Sequence, residues 1–213
     1  VFVEMFSIGE EEGVLFVVGD FSNVDVDPAV VFEELRGLRK YVKDVGIAPT
    51  VGDIVYSSRI VIMDIGGYRA ILWSKDSMMG FVEGIKEKLG EAAPHLLFHI
   101  GRGVGEKTYE YYMRKAGVSS VEDVISVLNA IISGHKWGKI IESGKTDNEL
   151  YLKIYRFWEC EILKGKVDKP ASSFFRGMLS GVFSSFYGKD VVVREVKCIA
   201  LGDPHCEYTV ELV

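Results

Sequence analysis

The stretch Glu195-Val196-Lys197-Cys198-Ile199-Ala200-Leu201-Gly202-Asp203-Pro204-His205-Cys206-Glu207-Tyr208 decides how this 213-residue chain is read. Two runs, Asp190 to Ala200 and Cys206 to Val213, flank the turn signal Gly202-Asp203-Pro204, so the segment reads as two strands joined by a turn. Cys198 and Cys206 lie equally far from Gly202, and a turn centred there sets them opposite each other. Opposed Cβ atoms sit about 4.5–5.5 Å apart, which lets both sulfurs reach one metal ion. Glu195 precedes Cys198 by three residues. A regular strand sends such a pair to opposite faces, so sharing one ion demands a bulge or a twist at the strand end. Cys160, on the strand predicted just upstream, is a candidate fourth ligand. The competing readings are a buried free-thiol pair or a cross-strand disulfide, and a reducing compartment disfavours the second.

Working outward, Pro170 starts a helix that carries Phe174, Phe175, Gly177, Met178, Gly181, Phe183 and Phe186 and stops at Gly188. Lys139 to Glu142 and Glu149 to Leu163 read as strands around a polar turn. A long helix is predicted from Pro94 to Ala116, and Ser119 with Glu122 reads as a capping box for the next one, which ends at Gly134. Ser77 opens a helix to about Leu89. Near the start, Gly13 to Val18 is a dense strand signal. Asp27-Pro28 begins a helix whose stripe, Val31, Leu35, Leu38, Val42 and Val45, ends at Gly46. Asp64-Ile65-Gly66-Gly67 is a hairpin signal between Arg59–Met63 and Tyr68–Trp73. Helices and strands come in runs instead of alternating, which predicts an α+β fold: an antiparallel sheet with helices packed on it. The expected organisation is an N-terminal α/β segment over 1–75 and a second domain over 76–213, with its motifs concentrated in 150–213.

Composition narrows the function. Acidic residues outnumber basic ones by 31 to 25, giving a net charge of −6, so no cationic face for direct nucleic-acid binding is expected. No apolar run reaches the roughly 18 residues that would predict a membrane span. Three cysteines are too few for a secreted disulfide framework, and a cytoplasmic globular protein is expected. Gly101-Arg102-Gly103-Val104-Gly105-Glu106-Lys107-Thr108 mimics a phosphate loop but has Glu106 where a glycine must precede the lysine. Its glycines read better as a close helix approach or a kink. His95 and His99 share a helix face without a third ligand nearby, which leaves His99 a candidate polar lining residue of a cavity. No nucleophile elbow and no acid–base pair of carboxylates stands out, so no self-contained catalytic site is predicted.

The pattern Gly177-x-x-x-Gly181, Gly188, Glu195-x-x-Cys198, Gly202-Asp203-x-x-Cys206-x-Tyr208 resembles the 4-vinyl reductase domain family. The resemblance is strong over about 150–213 and weaker over 94–149, where Gly134-x-x-Trp137-Gly138 is similar to the family's glycine–tryptophan turn. This family includes archaeal proteins and the sensor domains of phenol- and aromatic-responsive activators. The resemblance implies a ligand-binding fold shared with subunits of the TRAPP trafficking complex, of the NO-signalling and Golgi-transport type, usually homodimeric, with an internal apolar cavity. In the phenol-sensing relatives one glutamate and three cysteines hold a structural zinc. Glu195, Cys198 and Cys206 match three of those ligands; Ser172 stands where the remaining cysteine is expected, so the fourth position falls to Cys160 or His205, or to a water that completes a weaker three-ligand site.

The chain is expected to be a sensor module that binds a small hydrophobic or aromatic ligand without catalysis of its own. Phe174, Phe175 and Trp137 are candidate ligand-binding residues together with His99. Phe183 and Phe186 read as core, while Phe174 and Phe175 stay open between core and pocket wall. Two alternatives stand beside this: a reductase or accessory protein in tetrapyrrole vinyl-group reduction, which lacks any dinucleotide fingerprint or cluster-binding cysteine set here, and a dimerisation or assembly scaffold.

Overall fold

A computed structural model describes residues 2–7, 13–18, 25–46, 50–51, 54–55, 63–65, 68–71, 73–146 and 149–212. Contacts divide the chain into two compact units, Val1–Ile71 and Leu72–Val213.

In the first unit, β1 (Phe2–Ser7) pairs antiparallel with β2 (Gly13–Val18), from Phe2↔Val18 to Ser7↔Gly13. Helix α1 (Pro28–Gly37) starts as Asp27-Pro28 dictates, with the Asp27 carboxylate accepting the Ala29 N–H at 2.9 Å. The predicted stripe to Val45 outruns it. Leu35 and Leu38 are exposed, so little burial opposes the helix-weakening effect of Gly37. Strands β3 (Thr50–Val51) and β4 (Ile54–Val55) form a minimal ladder. Strands β5 (Met63–Ile65) and β6 (Tyr68–Ala70) pair with Ile65 opposite Tyr68, a register that converges on the predicted Gly66-Gly67 turn. Those two glycines and the predicted strand residues Arg59–Ile62 lie outside the described residues.

The second unit begins with α2 (Lys75–Leu89), whose cap is Ser74, three residues before the predicted start. Helix α3 (Ala93–Thr108) runs through a π-helical turn, Tyr109–Met113, into α4 (Arg114–Ala116), and left-handed Gly117 ends it. Helix α5 (Val121–Gly134) has a capping box one residue along from the predicted pair: Ser120 and Asp123 exchange bonds of 3.1 Å in each direction.

Four antiparallel strands follow: β7 (Lys139–Lys145), β8 (Glu149–Tyr155), β9 (Val191–Lys197) and β10 (Cys206–Leu212), in the spatial order β7-β8-β10-β9. One face of the sheet is apolar and buried, with Leu150, Leu152 and Ile154 on β8, Tyr208 and Val210 on β10, and Val191 and Val193 on β9. Between β8 and β9 come α6 (Trp158–Ile162) and α7 (Ser173–Tyr187). Mixed helices and an antiparallel sheet make the fold α+β, as the run order predicts.

One strand prediction fails. The strand predicted from Glu149 to Leu163 stops at Tyr155, the backbone turns at Arg156 (φ 52°), and Cys160 sits on helix α6 instead. Glu159 and Cys160 are neighbours and both are fully buried, which a strand with one covered face cannot arrange.

Helix α7 lies between the sheet and α3. Gly101 and Gly105 on α3 face Gly177 and Gly181 on α7, so close that a Cβ at Gly177 would meet the Phe98 carbonyl and one at Gly101 the Phe174 carbonyl. The two helix backbones touch through four positions where only hydrogen fits. That is the role of the glycine-rich stretch that mimics a phosphate loop.

Candidate metal centre

The bulge that shared ligation demands is present. Glu207 pairs with Lys197, but Tyr208 pairs with Glu195, so Val196 is the extra residue on β9. Burial follows: Glu195 points inward, Val196 and Lys197 face out, and Cys198 is buried again. The Glu207↔Lys197 register is also the one in which positions equally far from Gly202 oppose each other. Beyond β9 a 3₁₀ turn, Ile199–Leu201, ends at left-handed Gly202 (φ 102°), and the Asp203 carboxylate accepts the Cys198 N–H at 2.8 Å. A carboxylate, a bulge and a glycine thus fix where the Cys198 side chain goes.

Helix α6 closes the fourth side. The ligand atoms of Cys160, Glu195, Cys198 and Cys206 lie within 4.8 Å of one another, and all four residues are buried. Cys160 Sγ donates to Glu195 Oε1 at 3.2 Å and stands 3.5 Å from Cys198 Sγ. Cys206 Sγ accepts the Ile199 N–H at 3.5 Å. The thiols share protons unequally. Contact with the Cys160 thiol holds Cys198 below the ordinary thiol range, whereas the same contact, together with burial, pushes Cys160 up. Burial pushes the Glu195 carboxyl up as well. Three sulfurs and a carboxylate that converge in a dry corner can hold a metal ion, and the ion would displace the shared protons.

The surrounding residues tie this corner to α7. Ser172 donates its N–H to Glu195 Oε2 at 3.1 Å, and its Oγ accepts the Tyr208 hydroxyl at 2.8 Å. The Glu159 carboxylate, fully buried, takes the Phe174 and Phe175 N–H groups at 3.0 Å each and so caps α7 from α6. Burial pushes the Glu159 carboxyl up to about 8. Sequence reasoning missed Glu159 and Trp158. The available signal was the acid of Phe157-Trp158-Glu159-Cys160 set inside an apolar run, which the strand reading concealed.

The candidate ligand-binding residues divide. Trp137 and Phe174 meet, with ring centroids 6.1 Å apart, and Trp158 completes the group at 6.2 Å from each. Phe175 is core, 4.3 Å from the Phe157 ring and 5.3 Å from that of Tyr208. His99 is exposed on α3 with its ring against Phe98, and His205 pairs with Glu207 at 3.4 Å. Two open surface depressions are present among the described residues. One of about 440 Å³ lies along α3 and the π-helical turn, between Ile100 and Tyr112, and one of about 360 Å³ lies between α5 and β7. Neither is lined by the four candidate residues.

The fold and the buried Cys₃Glu corner define the class: an α+β domain with a four-stranded antiparallel sheet and a candidate metal centre. The family model of the 4-vinyl reductase domain matches residues 152–212, the segment that holds all four residues of the corner. The resemblance to that family is therefore shown over this segment. An uncharacterized protein of Methanocaldococcus jannaschii is 38% identical over 64 residues, 30% of this chain, and the match spans about a third (34%) of that relative's length. Among solved structures, the phenol-responsive sensory domain of the transcription activator PoxR with phenol has a TM-score of 0.61 at 15% identity, covering 87% of this chain and 92% of its own. An H-NOX protein from S. oneidensis in its Fe(II)NO state has a TM-score of 0.51 at 14% identity, covering 87% and 89%. Both are likenesses of fold.

Proposed function

We propose that the chain is a small-molecule-binding sensor module whose second domain is braced by a structural zinc. The observation that carries this reading is the closed Cys160–Glu195–Cys198–Cys206 corner. Its donor set suits zinc: thiolates with Zn–S near 2.3 Å define tetrahedron edges of about 3.8 Å, and the 3.5 Å between the Cys160 and Cys198 sulfurs lies close to that edge. With four protein ligands the site has no open position for water or substrate, which marks it as structural. When bound, zinc would supply a cross-link that offsets half of its ligands' negative charge. The chain's own residues then hold α6 on the β9–β10 hairpin, with Ser172 and Glu159 relaying that fixation to the first turn of α7.

Ligand recognition is assigned to the ring group Trp137, Trp158 and Phe174, which adjoins the corner through α6. The role proposed is binding without catalysis, in a homodimeric cytoplasmic protein, since its three cysteines can hold the ion only while they stay reduced. Elemental analysis of the purified protein, together with native mass spectrometry in the presence of aromatic compounds, tests the reading. It expects one zinc per chain, lost in Cys198→Ser, and at least one aromatic compound retained. Full metal content in Cys198→Ser, or no retained compound of any kind, would count against it.

A further inference from the structure

Among the described residues two buried side-chain donors have no partner, Trp158 Nε1 and Arg176 Nε. Trp158 opens α6 and Arg176 lies in the first turn of α7, so both belong to one joint of the fold. The carboxylate at that joint, Glu159, is consumed by the Phe174 and Phe175 N–H groups. A buried N–H without an acceptor loses its hydration with nothing in return, and native proteins keep few of them.

The orphaned indole belongs to the aromatic group. Its ring faces Trp137 and Phe174, and the His135 ring lies 5.3 Å from that of Trp137. Trp158 also donates its backbone N–H to the Trp137 carbonyl at 2.9 Å, which straps the two tryptophans together. Both remain partly exposed, so the group reaches the surface. Backbone strain gathers at the same place. The two non-glycine residues with left-handed backbones among the described ones are Lys136 (φ 59°), immediately before Trp137, and Arg156 (φ 52°), two before Trp158. L-residues seldom adopt this conformation because the Cβ crowds the following carbonyl, and strain of this kind collects at ligand clamps.

We propose that this group is the binding site of an aromatic carboxylate, whose ring lies against Trp137, Trp158 and Phe174 and whose carboxylate oxygen accepts the Trp158 Nε1–H. The Arg176 guanidinium lies 6.0 Å from the Phe98 ring centroid and donates to Ser173 Oγ at 3.4 Å, so recognition of the carboxylate rests on the Trp158 indole N–H. The proposal rests on the small-molecule reading and sharpens it. The unmet groups are donors, so they select a group that only accepts over a hydroxyl, which must also donate.

The test is a set of ¹H–¹⁵N titrations of the full chain, in which Trp73, Trp137 and Trp158 give three indole signals. The probes are benzoate, phenol, toluene and decanoate. Benzoate is expected to shift, saturably, the indole signal that disappears in Trp158→Phe. Trp158→Phe is expected to weaken benzoate binding about tenfold or more while retaining toluene binding. If phenol, toluene or decanoate binds and benzoate does not, or if Trp158→Phe binds benzoate as tightly as the parent, the carboxylate assignment is overturned and the small-molecule reading stands. If no probe binds, both fall. Should Trp158→Phe fail to fold, Trp73→Phe and Trp137→Phe assign the Trp158 indole signal by elimination, and its shift with benzoate decides the same question.

Discussion

Ser172 and Cys160 exchange the parts that the sequence pattern assigns them. The resemblance expects a cysteine at 172, yet Ser172 supports the corner by its N–H to Glu195 and its Oγ to Tyr208, while Cys160 provides the sulfur from α6. Cys160→Ala is therefore expected to lower metal affinity at least about tenfold, since even the loss of a group that only supports a ligand costs about 10–100-fold. Ser172→Ala is expected to leave one metal per chain and to cost about 1–3 kcal/mol of stability for the unpaired Tyr208 hydroxyl. Metal titration and urea unfolding of the two variants distinguish these roles. At this scale much was legible: counting from Gly202 opposes Cys198 and Cys206, and the parity of Glu195 requires a bulge. Local periodicity could not reveal that Cys160 is helical, because Phe157 to Leu163 is apolar enough to fit a strand and only tertiary burial on both sides of Glu159 forces a helix.

Among the elements, the α3–α7 contact places the first turn of α7 beside the corner. Its four glycines leave no room for a methyl group against the facing backbone. Gly177→Ala should destabilise the protein by about 1–3 kcal/mol or more, because backbone, unlike a side-chain tip, cannot move aside. Gly103 on the same helix α3 faces open space, and Gly103→Ala should stabilise by up to about 1 kcal/mol through helix propensity alone. Thermal or urea unfolding of the pair checks the sign of each. The glycine-rich run was legible as a close approach. Its partner was not, since Gly101 and Gly177 are far apart in sequence and only the fold pairs them. Helix starts shifted by one to three residues for a similar reason: Ser74, Ser77, Ser119 and Ser120 are all competent caps, and the geometry of the incoming chain chooses between them.

For the whole molecule, the buried acids and thiols make stability depend on pH with a sign set by the metal. Glu159 titrates at about 8 in the folded metal-free chain and at about 4.3 when unfolded, so folding favours its protonated form. Its contribution is complete below the unfolded value and is lost as pH rises through about 8. Metal-free protein is expected to lose stability from about pH 5 to about pH 8, and Glu159→Gln to flatten that slope. Metal-loaded protein should behave oppositely, gaining stability with pH as the thiols lose their protons to solvent and bind the ion as thiolates. Parallel slopes with and without metal would contradict this coupling. The central claim is most directly tested by zinc-edge X-ray absorption on the protein as purified. The account predicts three sulfurs at about 2.3 Å and one oxygen at about 2.0–2.2 Å around a single zinc. A shell of light atoms only, or no retained zinc, would contradict it.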